Sequence, residues 1–278
     1  MNHFVSIVIP TYNQSGYLKE AIQSVIAQSH ASWEVIVIDN YSVDDTCKVI
    51  ADFSDHRIQL IRFHNKGTIA ASRNIGIRKA KGDLIAFLDS DDAWLPEKLE
   101  RQMAALEAEP GHRLCHTDEI WIRDGQRVNP MEKHAKAGGR IYQMCLPLCC
   151  ISPSSVVMRR DLLNEMGGFD ESFEVCEDYD LWLRVTAREP VLFVDEQLLY
   201  KHGGHDDQLS TRHWGMDRFR VRALQRVLDD GLVSGEDERR TRETLVEKLE
   251  ILVEGARKHG NDELLDELEP QFAEAQKH

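Results

Sequence analysis

No stretch of this chain approaches the roughly 20 consecutive apolar residues that a membrane-spanning helix requires, and its first residues lack the basic and apolar regions of a secretory leader. The expectation is a soluble, cytoplasmic protein, with at most a peripheral association at the inner face of the membrane. Positive charge is also scarce. The 34 Lys and Arg stand against 48 Asp and Glu, a formal net charge of −14, which repels a phosphate backbone and argues against a nucleic-acid partner. An anionic substrate would need a local cation. The six cysteines, Cys47, Cys115, Cys145, Cys149, Cys150 and Cys176, show no CxxC pairing, so neither a zinc site nor a disulfide framework is readable. Cys145, Cys149 and Cys150 lie close enough in sequence to form a thiol cluster. Internal repeats and low-complexity segments are absent.

What the chain does have, over its first hundred residues, is alternation. Val5 to Ile9, Trp33 to Ile38, Ile58 to Phe63 and Leu84 to Leu88 are short, β-branched-rich runs that read as strands buried on both faces. Between them Leu18, Ile22, Val25 and Ile26 keep helical spacing, Ser42 offers an N-cap for a second helix, and Ala70 to Ala80 fits a third. Strand–helix alternation of this kind implies βαβ units and an α/β fold with a mostly parallel sheet flanked by helices. Pro96 opens a fourth helix that Pro110-Gly111 stops. Then come a strand with a hairpin turning at Asp124-Gly125, an aperiodic loop from Glu132 to Arg140, a strand and short helix closed by Gly167-Gly168, a helix in "EDYDLWLRVTARE" and a strand in "VLFV". Beyond Trp214 only long charged helical patterns remain. Leu245, Leu249, Ile251 and Leu252, with Leu264, Leu265 and Leu268, give this tail an apolar face suited to packing or to a homodimer.

In an open parallel sheet, ligands bind beyond the carboxyl ends of the strands. Three polar loops fall there: Pro10-Thr11-Tyr12-Asn13, Asp39-Asn40-Tyr41-Ser42 and Asp89-Ser90-Asp91-Asp92. Two carboxylates in Asp-x-Asp repel each other unless a cation relieves them, and magnesium or manganese suits oxygen ligands and phosphates. The same aspartates could instead cap the helix after Pro96 or form a solvated loop. "CEDYDLWLR" could likewise be surface charge at a helix start. His202 and His205 flank Gly203-Gly204 after an apolar strand, which raises a metal or phosphate reading modestly.

Together these segments resemble the family 2 inverting glycosyltransferases of the GT-A fold, through "VSIVIPTYNQSGYLKEAIQSVIAQS", "WEVIVIDNYSVDDT", "NKGTIAASRNIGIRKAKGDLIAFLDSDDAWLPEKL" and "GGFDESFEVCEDYDLWLR" in order, over roughly residues 4 to 205. The resemblance implies a GT-A domain over 1–212, with a nucleotide-sugar half (1–118) and an acceptor half (119–212), followed by a helical extension over 213–278. It implies that Pro10, Thr11, Tyr12, Asn13, Asp39 and Asn40 face the base and ribose of a nucleotide-sugar donor. Gly67, Arg73 and Asn74 would lie beside its diphosphate, although Asn74 equally suits a packing role. Asp89, Ser90 and Asp91 would form the DxD motif, with Asp91 the direct metal ligand, Asp89 near the ribose or metal, and His202 preferred over His205 as a further ligand. Asp178 would be the catalytic base, the cofactor Mn2+ or Mg2+, and the acceptor a saccharide or lipid-linked saccharide.

Asp92 would then serve the helix after Pro96, Trp94 could stack on a sugar, Trp182 fits the core, and the loop from Glu132 to Arg140 could close over the donor. The family's usual Asp-Asp-Gly-Ser is Asp39-Asn40-Tyr41-Ser42 here, which bears on base preference. A sugar nucleotidyltransferase also fits a parallel sheet with paired aspartates, but it expects a basic first loop, and the first lysine after β-run one is Lys19. A sugar-nucleotide-binding protein without catalysis is the third reading.

Overall fold

The computed structural model describes residues 3–129, 131–204 and 215–277. Strands β1 (Val5–Thr11), β2 (Trp33–Asp39), β3 (Ile58–Arg62) and β4 (Leu84–Phe87) alternate with helices α1 (Ser15–Ile26), α2 (Thr46–Asp52) and α3 (Ile69–Lys79). They pair in parallel in the order β3-β2-β1-β4, as the βαβ pattern predicts. β1 and β2 are buried at every position. Val8, Ile36 and Ile38 enter one core cluster while Ile7, Ile9, Val35 and Val37 enter the other. Helices on both faces therefore explain why these strands show no polar alternation. Gly76 in α3 permits close approach to β1, since a Cβ there would sit 2.2 Å from a Val8 methyl.

The second half turns the sheet mixed. It contains β5 (Ala93–Trp94), α4 (Lys98–Ala108), β6 (Leu114–Arg123), β7 (Gln126–Val128), α5 (Tyr142–Cys145), β8 (Val157–Arg159), α6 (Arg160–Met166), α7 (Glu177–Thr186) and β9 (Leu192–Gly203). The nine-stranded order is β3-β2-β1-β4-β8-β6-β9-β5, with β7 hairpinned on β6. The hairpin turns at Asp124 and Gly125, both with positive φ, as a tight turn between twisted strands requires. Gly167, at φ 72°, ends α6.

Helices α8 (Met216–Asp229), α9 (Gly235–His259) and α10 (Asp262–Ala275) complete the chain. Their Leu245, Leu249, Leu252, Leu264 and Leu268 join the same core cluster as α7, and Tyr142 shares a 2.7 Å hydrogen bond with Thr241. The apolar face expected of the tail is thus covered within one chain, apart from Ile251, which is exposed. No described helix is long and apolar enough to cross a membrane.

Several local expectations change. Ser42 does not cap α2: the helix starts at Thr46, whose N–H and hydroxyl both donate to Asp44. The segment from Glu132 to Arg140 is anchored at several points. It forms a 3-10 turn at Glu132–His134, buries Lys136 against Glu119 at 3.2 Å and bridges Gly139 to Val191. Trp94 cannot stack on a sugar, because it is buried and donates its indole N–H to the Ser154 carbonyl at 2.8 Å.

Below Trp94 lies Lys98, fully buried, donating to Gln102 Oε1 at 2.6 Å. Burial lowers its pKa to about 7 from 10.5. A depressed folded pKa contributes stability that is complete above 10.5 and is lost as pH falls through 7. Unfolding free energy should therefore rise between those pH values, and Lys98→Met should flatten that rise in paired urea titrations.

Candidate active site

The first two loops build one rigid wall. Thr11 ends β1 opposite Asp39 of β2, and Asn40 N–H donates to the Thr11 carbonyl at 3.1 Å. Asp39 is fully buried, accepting from Ser42 N–H at 2.9 Å and Arg62 Nε at 3.2 Å. Its carboxylate therefore holds the loop from within. Asn13 completes the wall, its N–H donating to Ser42 Oγ at 2.8 Å and its Oδ1 accepting from Val43 N–H at 2.9 Å. Pro10 and Thr11 are buried in the strand, whereas Tyr12 and Tyr41 are each 50% exposed and form the accessible surface. Asn40 Oδ1 accepts from Asn65 N–H at 3.0 Å, which ties this wall to the turn containing Gly67. Gly67 has φ 88°, a conformation suited to glycine.

The third loop follows β4. Asp89 N–H donates to Ser154 Oγ at 3.0 Å, Ser90 Oγ donates to Gln14 Oε1 at 2.5 Å, and Asp92 Oδ1 accepts from His202 N–H at 3.0 Å. Asp92 thus anchors β9 instead of capping α4, which begins at Lys98. Burial, with the adjacent charges of Asp91 and Asp89, pushes the Asp92 carboxyl well above the usual range. His202 Nδ1 lies 2.7 Å from the Asp91 carbonyl oxygen. A carbonyl only accepts, so Nδ1 is the donor in this contact. His205 lies outside the described residues.

Arg73 ties this loop to the acidic pair on α7. Its guanidinium, with a side chain 3% exposed, donates to Asp89 Oδ1 at 2.7 Å and to Glu177 Oε1. Asp178, the next residue, accepts from its neighbour Tyr179 N–H at 2.7 Å and from the Cys149 thiol at 3.3 Å. The loop after β4 and the start of α7, far apart in sequence, are thereby joined through one cation that holds Asp89 and Glu177. Arg73's charge is engaged inside this bridge.

Asn74 takes the packing role. Its amide accepts from Phe169 N–H at 3.0 Å and donates to the Phe169 carbonyl at 2.8 Å and Glu171 at 2.9 Å. Asn74→Ala should cost about 1–3 kcal/mol by stranding these buried groups, measured as a lower urea midpoint at unchanged slope.

A second ion cluster was not legible in the sequence. Lys201 donates to Ser152 Oγ at 2.7 Å and lies 3.8 Å from Glu119, which also pairs with Lys136. Burial opposes ionisation of Glu119, yet Lys201 and Lys136 bring its pKa down to about 2. Lys201 in turn stays charged because Glu119, Asp92 and Asp89 outweigh its burial. Its place beside His202 was the only hint, and nothing in spacing marks Glu119 or Ser152.

Among the described residues no three His, Cys, Asp or Glu converge into a ready-made metal cage. Asp89 accepts from Arg73 and the Asp91 carbonyl faces His202 Nδ1, so these oxygen and imidazole groups, of types that suit a hard cation completed by phosphate and water, lie on neighbouring loops without forming a cage.

Comparison with known proteins agrees with this geometry. Residues 6–167 match the model for "Glycosyl transferase family 2", and residues 141–222 match "Glycosyltransferase like family 2". The chain is 38% identical over 214 residues to the putative teichuronic acid biosynthesis glycosyltransferase TuaG of Bacillus subtilis, covering 76% of this chain and 82% of that protein. It is 35% identical over 184 residues to the UDP-Glc:alpha-D-GlcNAc-diphosphoundecaprenol beta-1,3-glucosyltransferase WfgD of Escherichia coli, covering 66% and 70%. Two other curated relatives are matched over only 32% of their own length. In fold it is similar to S. aureus TarS 1-349 in complex with UDP-GlcNAc, with a TM-score of 0.72 at 20% identity, over 98% of this chain and 79% of that one. That likeness identifies the fold as GT-A and disposes of the nucleotidyltransferase reading together with the family match. With more than half its length inside the family model, this chain belongs to glycosyl transferase family 2.

Proposed function

We propose that the protein transfers a sugar, with inversion, from a nucleotide-diphosphate sugar to a hydroxyl of a saccharide or lipid-linked saccharide, and that Asp178 is the base. The observation that carries this reading is the Arg73 bridge, which holds Asp89 and Glu177 on one guanidinium and so brings Asp178, the residue after Glu177, to the loop that follows β4. The acceptor hydroxyl loses its proton to Asp178 as its oxygen attacks the anomeric carbon, and the bond to the nucleoside diphosphate breaks with its electron pair on the leaving oxygen. The Cys149 and Tyr179 hydrogen bonds hold the Asp178 carboxylate in one orientation during that transfer.

Tyr12 and Tyr41 are the exposed rings against which a nucleobase can rest, with Asn13, Asn40 and Gly67 shaping the loops around it. Lys201 supplies a permanent positive charge near the diphosphate side. A divalent cation, Mn2+ or Mg2+, held by Asp91, Asp89 and His202 Nε2, would supply Lewis-acid stabilisation of the departing charge. The lipid-linked acceptor class is drawn from the name of the relative WfgD.

A thermal-shift panel of nucleoside diphosphates and nucleotide sugars, each with Mn2+, Mg2+ or EDTA, tests this reading. One nucleotide family should raise Tm progressively with concentration, and EDTA or Asp91→Asn should remove most of the rise. A panel in which no nucleotide shifts Tm under any condition would overturn it.

A further inference from the structure

Three thiols lie together, and one of them, Cys149, touches Asp178. The sulfurs of Cys145, at the end of α5, and Cys150 are 2.8 Å apart, inside van der Waals contact and a short approach from the bonded separation of about 2.05 Å. Both are nearly fully buried. Cys149, between them, is committed elsewhere: its Sγ lies 3.2 Å from the Ile151 carbonyl and 3.3 Å from Asp178 Oδ2. The segment that follows supplies Ser152 to Lys201 and Ser154 to the Asp89 amide.

We propose that Cys145 and Cys150 are an oxidisable dithiol that takes a low-molecular-weight disulfide such as oxidised glutathione, and that the bond they form cross-links α5 to the segment holding Cys149 against Asp178. The inference is independent of which sugar is transferred. Cys150 is the attacking sulfur. The hydrogen bond from Cys145 and the positive charge of Lys136 lower its pKa against the effect of burial, and Lys136 Nζ reaches the Cys150 carbonyl at 3.3 Å. The other thiols go the opposite way: the Cys150 hydrogen bond and burial hold Cys145 well above the usual thiol range, burial does the same to Cys149 and takes Cys115 to about 11.

The chemistry balances in two exchanges. The Cys150 thiolate attacks one glutathione sulfur, breaking that disulfide, forming a mixed disulfide and releasing one glutathione thiolate. Cys145 then attacks Cys150 Sγ as the first glutathione thiolate takes its proton, forming the Cys145–Cys150 bond and releasing the second glutathione as thiolate. The two protein protons end on the two glutathiones.

The test uses the full chain carrying Cys47→Ser, which removes an exposed thiol outside the cluster. After exposure to oxidised glutathione, the protein is alkylated under denaturing conditions and its mass and peptides are mapped. The expected product has lost two hydrogens, carries no glutathione and contains a Cys145–Cys150 link. Adding Cys145→Ser should leave glutathione trapped on Cys150, and adding Cys150→Ser should abolish both cross-link and adduct within the cluster. Recovery of Cys145 and Cys150 as alkylated thiols in the parent protein, or a link that includes Cys149, would overturn the proposal.

Discussion

Asp178→Asn is expected to leave nucleotide-sugar affinity within about twofold of the parent while lowering the rate of transfer by roughly a thousandfold, the scale of a lost general base. The substitution is nearly isosteric. Its Oδ1 can still accept from Tyr179 N–H, which presently approaches at 2.7 Å, so the first turn of α7 keeps its shape. The Arg73 bridge does not pass through Asp178 and should also persist. What the amide cannot do is accept the acceptor hydroxyl's proton. Calorimetry with the donor, beside an assay of nucleoside diphosphate release with the acceptor, separates binding from chemistry. Retained transfer would remove Asp178 from the role of base and direct attention to Glu177.

Arg73→Met should have the largest effect on stability. Arg73 is 2% exposed and holds two carboxylates, so its loss leaves buried negative charge uncompensated, at a cost of about 3–5 kcal/mol. Methionine fills most of the volume, which makes the cost electrostatic in origin. Adding Glu177→Gln to Arg73→Met should recover part of it, because the more deeply buried of the two charges is then gone.

The same residue predicts a pH dependence in the parent protein. Burial raises the Glu177 carboxyl to about 7 from 4.5, against the pull of Arg73. Because the folded pKa is the higher one, its contribution to stability is complete below pH 4.5 and is lost as pH rises through 7. Glu177→Gln should remove that decline from denaturant titrations spanning the window, and an unchanged decline would show that other groups cause it.

The parts of the fold legible in sequence were those whose cause is local. Apolar runs with β-branched residues located β1, β2 and β4, and the Asp124-Gly125 and Gly167-Gly168 pairs located a hairpin and a helix end. The motifs also placed the three polar loops at one sheet edge, since residues following parallel strands must emerge there. Less legible was anything set by a partner distant in the chain. Asp92 looked like a helix cap because Pro96 follows it, but β9 returns alongside and gives its oxygen the His202 amide. Ser42 looked like a cap for the same reason of sequence proximity, whereas its hydroxyl serves Asn13. Arg73 and Asn74 are adjacent on α3, yet one closes the acidic bridge and the other latches Phe169, a division that one residue of helical rotation creates. The Glu119, Lys136 and Lys201 cluster left no sequence signal, because each charge is compensated only after β6 and β9 pair.

The central claim, single-displacement transfer assisted by Asp178, is tested most directly by the anomeric configuration of the product. With the donor that the thermal-shift panel selects, proton NMR of the transferred sugar reports the new glycosidic bond. From an α-linked nucleotide sugar the predicted product is β-linked, and an α-linked product would contradict the account.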